Sequence, residues 1–156
     1  MNRLEAQALA LEKMAEHGLT SRGWRLAFNR RKSALGLCNY SKKTIFLSEV
    51  YVALNSHANV LNTILHEIAH ALAGHHAGHG PYWQEVCRNI GARPERCNNE
   101  ADLVMPEHKY RLAVKLPCGG LELTRITRDR RGNMAERQLR GRPDTKNKLV
   151  WVENKG

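Results

Sequence analysis

Between His66 and Trp83 the chain reads HEIAHALAGHHAGHGPYW, five histidines and one glutamate within eighteen residues. Imidazole nitrogens bind divalent transition metals, and a carboxylate beside them can serve as a base, so this segment has the parts for metal-assisted hydrolysis. On a helix, residues i and i+4 share one face about 5–6 Å apart. His66 and His70 can therefore reach one ion at about 2.0–2.1 Å. Glu67, next to the first ligand, is placed to activate a zinc-bound water instead of binding the metal. This is the H-E-x-x-H arrangement of zinc hydrolases that cut peptide bonds.

A catalytic zinc keeps three protein ligands and one open position. His75, His76 and His79 compete for the third place. The first two follow Gly74 directly, and the chain must reverse before either reaches the metal. His79 comes after a short Gly- and Ala-containing loop and just before Pro81, so a rigid element can present it; the spacing favours His79. His76 fits the third histidine of the metzincin pattern, except that Ala73 stands where that pattern has glycine. The set His66, His70 and His76 also matches the spacing of YbeY-type endoribonucleases, and Glu67 separates the two chemistries because a peptidase requires it. Three imidazoles suit zinc and accept other divalent metals as well. Close in sequence, Trp83 reads as a wall holding the ligand loop, Tyr82 as a packing residue or oxyanion donor, and His76 as a polar residue at the site mouth.

These residues need elements to hold them, and the hydrophobic pattern predicts an α+β core. From Arg3 to His17 the apolar residues Leu4, Ala8, Leu11 and Ala15 recur at helical spacing, and Gly18 follows. The runs WRLAF, ALGLC and TIFL, separated by turn and charge clusters, predict a three-stranded antiparallel sheet. A helix starts at Ser56, a good N-cap, and runs to Gly74, carrying the H-E-x-x-H motif. Another begins at Pro81 and ends near Gly91. ARPERCNNEADLVMPEH reads as an irregular link. The segments YRLAVKL, LELTRIT and LVWV then predict a β-rich tail, giving a core over residues 1–105 and a tail over 106–156.

The tail also holds most of the net charge of +10: residues 106–156 contain 13 Lys and Arg against 6 Asp and Glu, net +7, and residues 1–105 contain 12 against 9, net +3. Arg125, Arg128, Arg130, Arg131, Arg137, Arg140 and Arg142 form a footprint for nucleic-acid phosphates. Only Trp151 among the tail's aromatics lies past Tyr110, which argues for backbone contact over base stacking. The four cysteines, Cys38, Cys87, Cys97 and Cys118, include no C-x-x-C pair and read as reduced, mostly buried thiols. No apolar run reaches the length of a membrane span, and the acidic residues Glu5, Glu12 and Glu16 interrupt the N-terminus; the chain reads as cytoplasmic, encoded by a bacterium or a mobile element.

Three stretches, LGLCNYSKKTIFLS, VLNTILHEIAHAL and GHGPYWQEVCRNIGA, in that order over Leu19 to Ala92, resemble the SprT-like metallopeptidases, the family that includes the Spartan DNA–protein crosslink proteases. The resemblance implies a zincin-like fold, one zinc ion on His66, His70 and His79, and Glu67 as general base. It implies protein substrates bound or crosslinked to DNA, single-stranded or damaged. The family commonly carries a zinc ribbon after the catalytic domain. Here KLPCGG has Lys115 in place of the first cysteine and only Cys118 remains, so the tail is expected to be a degenerate ribbon without a second zinc. Two other readings stand beside this one: a metal-dependent endoribonuclease using His76, and a non-catalytic zinc-containing DNA-binding protein.

Overall fold

In the computed structural model, which describes residues 1–95 and 103–154, the chain opens on helix α1 (Arg3–Glu16). Asn2 and Glu5 cap it reciprocally: Asn2 Oδ1 accepts the Glu5 N–H at 2.9 Å, and the Glu5 carboxylate accepts the Asn2 N–H at 2.9 Å. Its buried face is Ala6, Ala10 and Met14, not the stripe through Leu4, Ala8, Leu11 and Ala15. Leu4 is 76% exposed and Leu11 42%. Both stripes have helical spacing. The alanine stripe wins because it lets α1 approach its neighbours closely, and α1 does pack on α3.

Strands β1 (Arg25–Asn29), β2 (Gly36–Asn39) and β3 (Thr44–Ser48) form the first sheet. Their order is β1-β3-β2, with β1 parallel to β3 and β2 antiparallel to it. The expected all-antiparallel sheet is therefore wrong: the link from β1 to β2 crosses the end of β3, and β3 inserts between them. Burial explains the choice. In β3 four of five residues are buried, whereas β1 and β2 are only partly covered, so the most apolar strand takes the centre. Ser48 fixes the crossover, its N–H donating to the Leu35 carbonyl at 2.9 Å and its Oγ to the Arg31 carbonyl at 2.6 Å.

Ser48 also caps a short helix the sequence reading missed, α2 (Glu49–Leu54). Helix α3 (His57–Ala73) starts on its Ser56 cap and stops at Gly74, whose φ of 87° suits glycine. Val60, Ile64, Ile68 and Ala69 are fully buried in it, and Tyr51 of α2 bonds across to α3: its hydroxyl donates to the Asn59 carbonyl at 3.4 Å and accepts from Thr63 Oγ1 at 3.3 Å. Asn62 accepts the Arg93 N–H at 3.0 Å. Helix α4 (Pro81–Asn89) buries Trp83 and Cys87. Residues 96–102 of the predicted irregular link, Cys97 included, lie outside the described residues. Of the other cysteines only Cys87 is buried; Cys38 is half-buried and Cys118 exposed, all three with free thiols.

Contacts divide the chain into two compact units, Met1–Pro106 and Glu107–Gly156. In the second, β4 (Tyr110–Lys115) lies between β5 (Leu121–Arg128) and β6 (Leu149–Glu153), antiparallel to both, as the three apolar runs of the tail predict. Leu112, Ala113, Val114 and Trp151 are its buried apolar residues. Cys118 sits in the turn joining β4 to β5. Among the described residues no helix is long and apolar enough to cross a membrane.

Because α3 carries the core's central apolar face, truncation there tests the architecture. Ile64→Ala should lower the unfolding free energy by about 2–5 kcal/mol in urea titrations. A loss below about 1 kcal/mol would contradict the packing.

Candidate metal centre

Helix α3 puts His66 and His70 one turn apart, and the chain after Gly74 returns to bring His79 opposite them. The three Nε2 atoms converge: His70 and His79 are 3.1 Å apart there, and His79 and His66 are 3.3 Å apart. Among the described residues this is the one group of three or more His, Cys, Asp or Glu side chains whose ligand atoms all lie within 4.8 Å of one another. A tetrahedral ion with Zn–N bonds of about 2.0–2.1 Å would set its ligand nitrogens about 3.3 Å apart. The two observed spacings fit. Neutral imidazoles protonated on Nδ1 would turn three lone pairs toward one point, an arrangement that a cation relieves.

The protonation states also suit metal binding. Burial pushes the His66 imidazole from its ordinary 6.5 down to about 4, and His70 and His79 push the same way. His70 is likewise lowered to about 4 by burial first and then by His79. Both are held neutral, the form in which an imidazole binds metal.

Trp83 is the floor of the triad. It is fully buried, stacks on His70 with centroids 5.1 Å apart, and meets His66 and His79 at 4.8 and 4.6 Å. One indole therefore limits the rotation of all three rings. Gln84, one residue on, donates from Nε2 to the His79 carbonyl at 3.2 Å and ties the ligand loop to α4. Pro81 at the start of α4 sets where that loop must end.

Glu67 points toward β2 and is 7% exposed. The Cys38 backbone N–H hydrogen-bonds its carboxylate, but burial outweighs that bond and pushes the Glu67 carboxyl from 4.5 up to about 8. A cavity of about 390 Å³ opens here, with Gly36, Cys38 and Tyr40 on the β2 side and His66, Glu67 and His70 from α3. His75 and Gly78 line it from the loop. The Tyr40 hydroxyl donates to the His70 carbonyl at 3.2 Å, and its ring meets Trp24 and His75 edge-on. Burial holds both the Tyr40 hydroxyl and the Cys38 thiol up to about 12, so both stay protonated.

The sequence reading did not single out Gly36, Cys38 or Tyr40. The signal was their spacing of two along one strand and its continuation, which aims alternate residues at one face. Conversely, His76 is exposed, meets His75 at 5.5 Å, and is outside the converging group. Tyr82 is 59% exposed and does not line the cavity, so the phenol at this site belongs to Tyr40 instead.

The seven tail arginines fall into separate settings. Arg142 pairs with Glu122 at 2.7 Å and Asp144 at 3.0 Å, and the Arg131 guanidinium lies over the Tyr110 ring at 4.6 Å. Arg128, Arg137 and Arg140 border a cavity of about 180 Å³ above Trp151 and Met134. Arg130 follows β5, and Arg125 lies within it; both are exposed.

Two tests follow. His79→Ala should abolish stoichiometric zinc binding in a calorimetric titration while His76→Ala leaves it intact; the reverse pattern would move the third ligand to His76. The second uses metal-free protein and thermal melts against pH. His66 and His70, held below their unfolded value, contribute stability that is complete above about 6.5 and is lost as pH falls toward 4. Glu67, held above its unfolded value of 4.5, contributes stability that is complete below 4.5 and lost as pH rises toward 8. Stability from these groups should therefore peak near pH 6.5, and Glu67→Gln should remove the decline between 6.5 and 8. An unchanged decline in that variant would assign it to another group.

No curated protein matches the chain. The SprT-like family model matches residues 4–102, which takes in the whole first sheet, the histidine triad and α4. SprT-like proteins are typically zinc metallopeptidases, and the triad found here is compatible with that chemistry. With the match spanning more than half of its length, the chain belongs to the SprT-like family.

Proposed function

We propose that the protein is a zinc-dependent endopeptidase that acts on proteins bound or crosslinked to DNA, with His66, His70 and His79 holding the ion and Glu67 as general base. The observation that carries this reading is the buried Glu67 carboxylate on the same helix as two of three converging imidazoles. A divalent metal bound there supplies Lewis acidity, polarising a peptide carbonyl and bringing the pKa of a water toward 7.

Each protein group then has a defined part. Glu67 accepts the proton of the attacking water and returns it to the departing amine. Trp83 and Gln84 keep His79 facing the two helical histidines. Tyr40, protonated and at the cavity wall, orients the end of α3 by donating its hydroxyl to the His70 carbonyl. The walls of β2 and the His75 loop exclude bulk water from one side of the base.

The DNA part of the proposal rests on charge. The second unit carries most of the net positive charge, and phosphate binding falls chiefly to Arg125, Arg128, Arg130, Arg131, Arg137 and Arg140, because Arg142 is already paired with two carboxylates. Holding DNA there raises the local concentration of any protein attached to it. Such work implies the cytoplasm, where the chromosome of a bacterium or a mobile element is reached directly.

The deciding experiment compares zinc-loaded wild type with Glu67→Gln on a DNA-binding protein substrate, with and without single-stranded DNA. Wild type should release fragments faster when DNA is present, and the variant should be slower by about 10²-fold or more while still binding zinc and DNA. Fragments from both proteins alike would remove Glu67 from the mechanism. RNA cleavage without proteolysis would replace the peptidase reading with a nuclease.

A further inference from the structure

Gly36 is the first residue of β2 and pairs with Leu47 of β3. Glycine is costly to order, since it loses the most chain entropy on folding, and it has no side chain to pack. Backbone conformation does not call for it here: Gly36 is absent from the positive-φ glycines, so an alanine could adopt the same dihedrals. The reason is space. A Cβ at position 36 would lie 2.7 Å from Glu67 Cγ, 2.8 Å from its Oε1 and 3.0 Å from its Cδ. All three close contacts fall on one side chain, the base of the proposed reaction.

We propose that Gly36 is a positioning residue for Glu67: the missing side chain lets β2 close on α3 and leaves the carboxylate in the one place where the Cys38 N–H also holds it. This rests on the reading of Glu67 as general base. Neither element can yield to relieve a clash. On one side, α3 is fixed by Val60, Ile64 and Ile68, all fully buried. On the other, β2 is held by its ladder to β3, and Tyr40, just past its end, donates to the His70 carbonyl. Only Glu67 can move, and rotating it away from position 36 breaks its bond to the Cys38 N–H and takes the carboxylate from its place beside the histidines. A misplacement of about 1 Å in a reacting group costs about 10²-fold in rate.

The test is a cycle of Gly36→Ala and Glu67→Ala in the full chain, read first by thermal melts of metal-free protein. Gly36→Ala should lower the melting temperature while Glu67 is present and cost little or nothing in the Glu67→Ala background, where the clashing atoms are gone. If Gly36→Ala fails to fold, the double variant should fold. An equal loss in both backgrounds, or failure of both to fold, would overturn the assignment, because the glycine would then be needed for something other than Glu67. The second readout uses zinc-loaded protein, single-stranded DNA and a DNA-binding protein as substrate: Gly36→Ala should lower kcat by about tenfold to a hundredfold with KM and zinc content unchanged. An unchanged kcat would overturn it too. Should wild type cleave nothing, the peptidase reading fails while the melting cycle still decides whether Gly36 makes room for Glu67.

Discussion

Placing a carboxylate out of water, one residue along a helix from an imidazole that must remain neutral, is costly, and the first unit is organised around that placement. Desolvation alone would favour a protonated Glu67. The N–H of Cys38 offsets part of the cost, and it can do so only because β2 approaches α3 across a residue without a side chain. That approach depends in turn on β2 being a strand at the edge of its sheet, with β3 taking the central place and carrying the register. The inserted β3 is thus linked through two packed layers to the position of a single oxygen.

The opposite side of the site is built from rings. Trp83 spends a fully buried indole on contact with all three histidines, and α4 exists in the right place because Pro81 starts it immediately after the ligand loop. Ring stacking fixes the imidazole planes, while the helical repeat fixes where two of them start. Metal affinity and base position are therefore set by different elements, α4 for the first and β2 for the second.

Much of this was legible in the chain itself. Helical spacing located α3 and two of the three converging histidines, caps and glycines located its ends, and the short loop before Pro81 pointed to His79 as the third member of that group. What escaped was non-local. In α1 two apolar stripes fit the same period, and only the partner helix chooses between Leu4 with Leu11 and Ala6 with Ala10. Three short apolar runs do not say which one sits in the middle, so the parallel pairing of β1 with β3 was not readable. Gly36 stood unremarked within the predicted strand run ALGLC until Glu67 was seen against it. The charge count likewise treated Arg142 as equal to its neighbours, although Glu122, twenty positions earlier, already pairs with it.

His66 and His70 belong to a helix locked into the core, whereas His79 hangs on a segment bounded by Gly74 and Gly78, both with positive φ. Two of the converging imidazoles are thus fixtures of the core helix, and the third comes from a separate loop that Gln84 ties to α4. An ion held by all three would therefore clamp that loop onto the core helix.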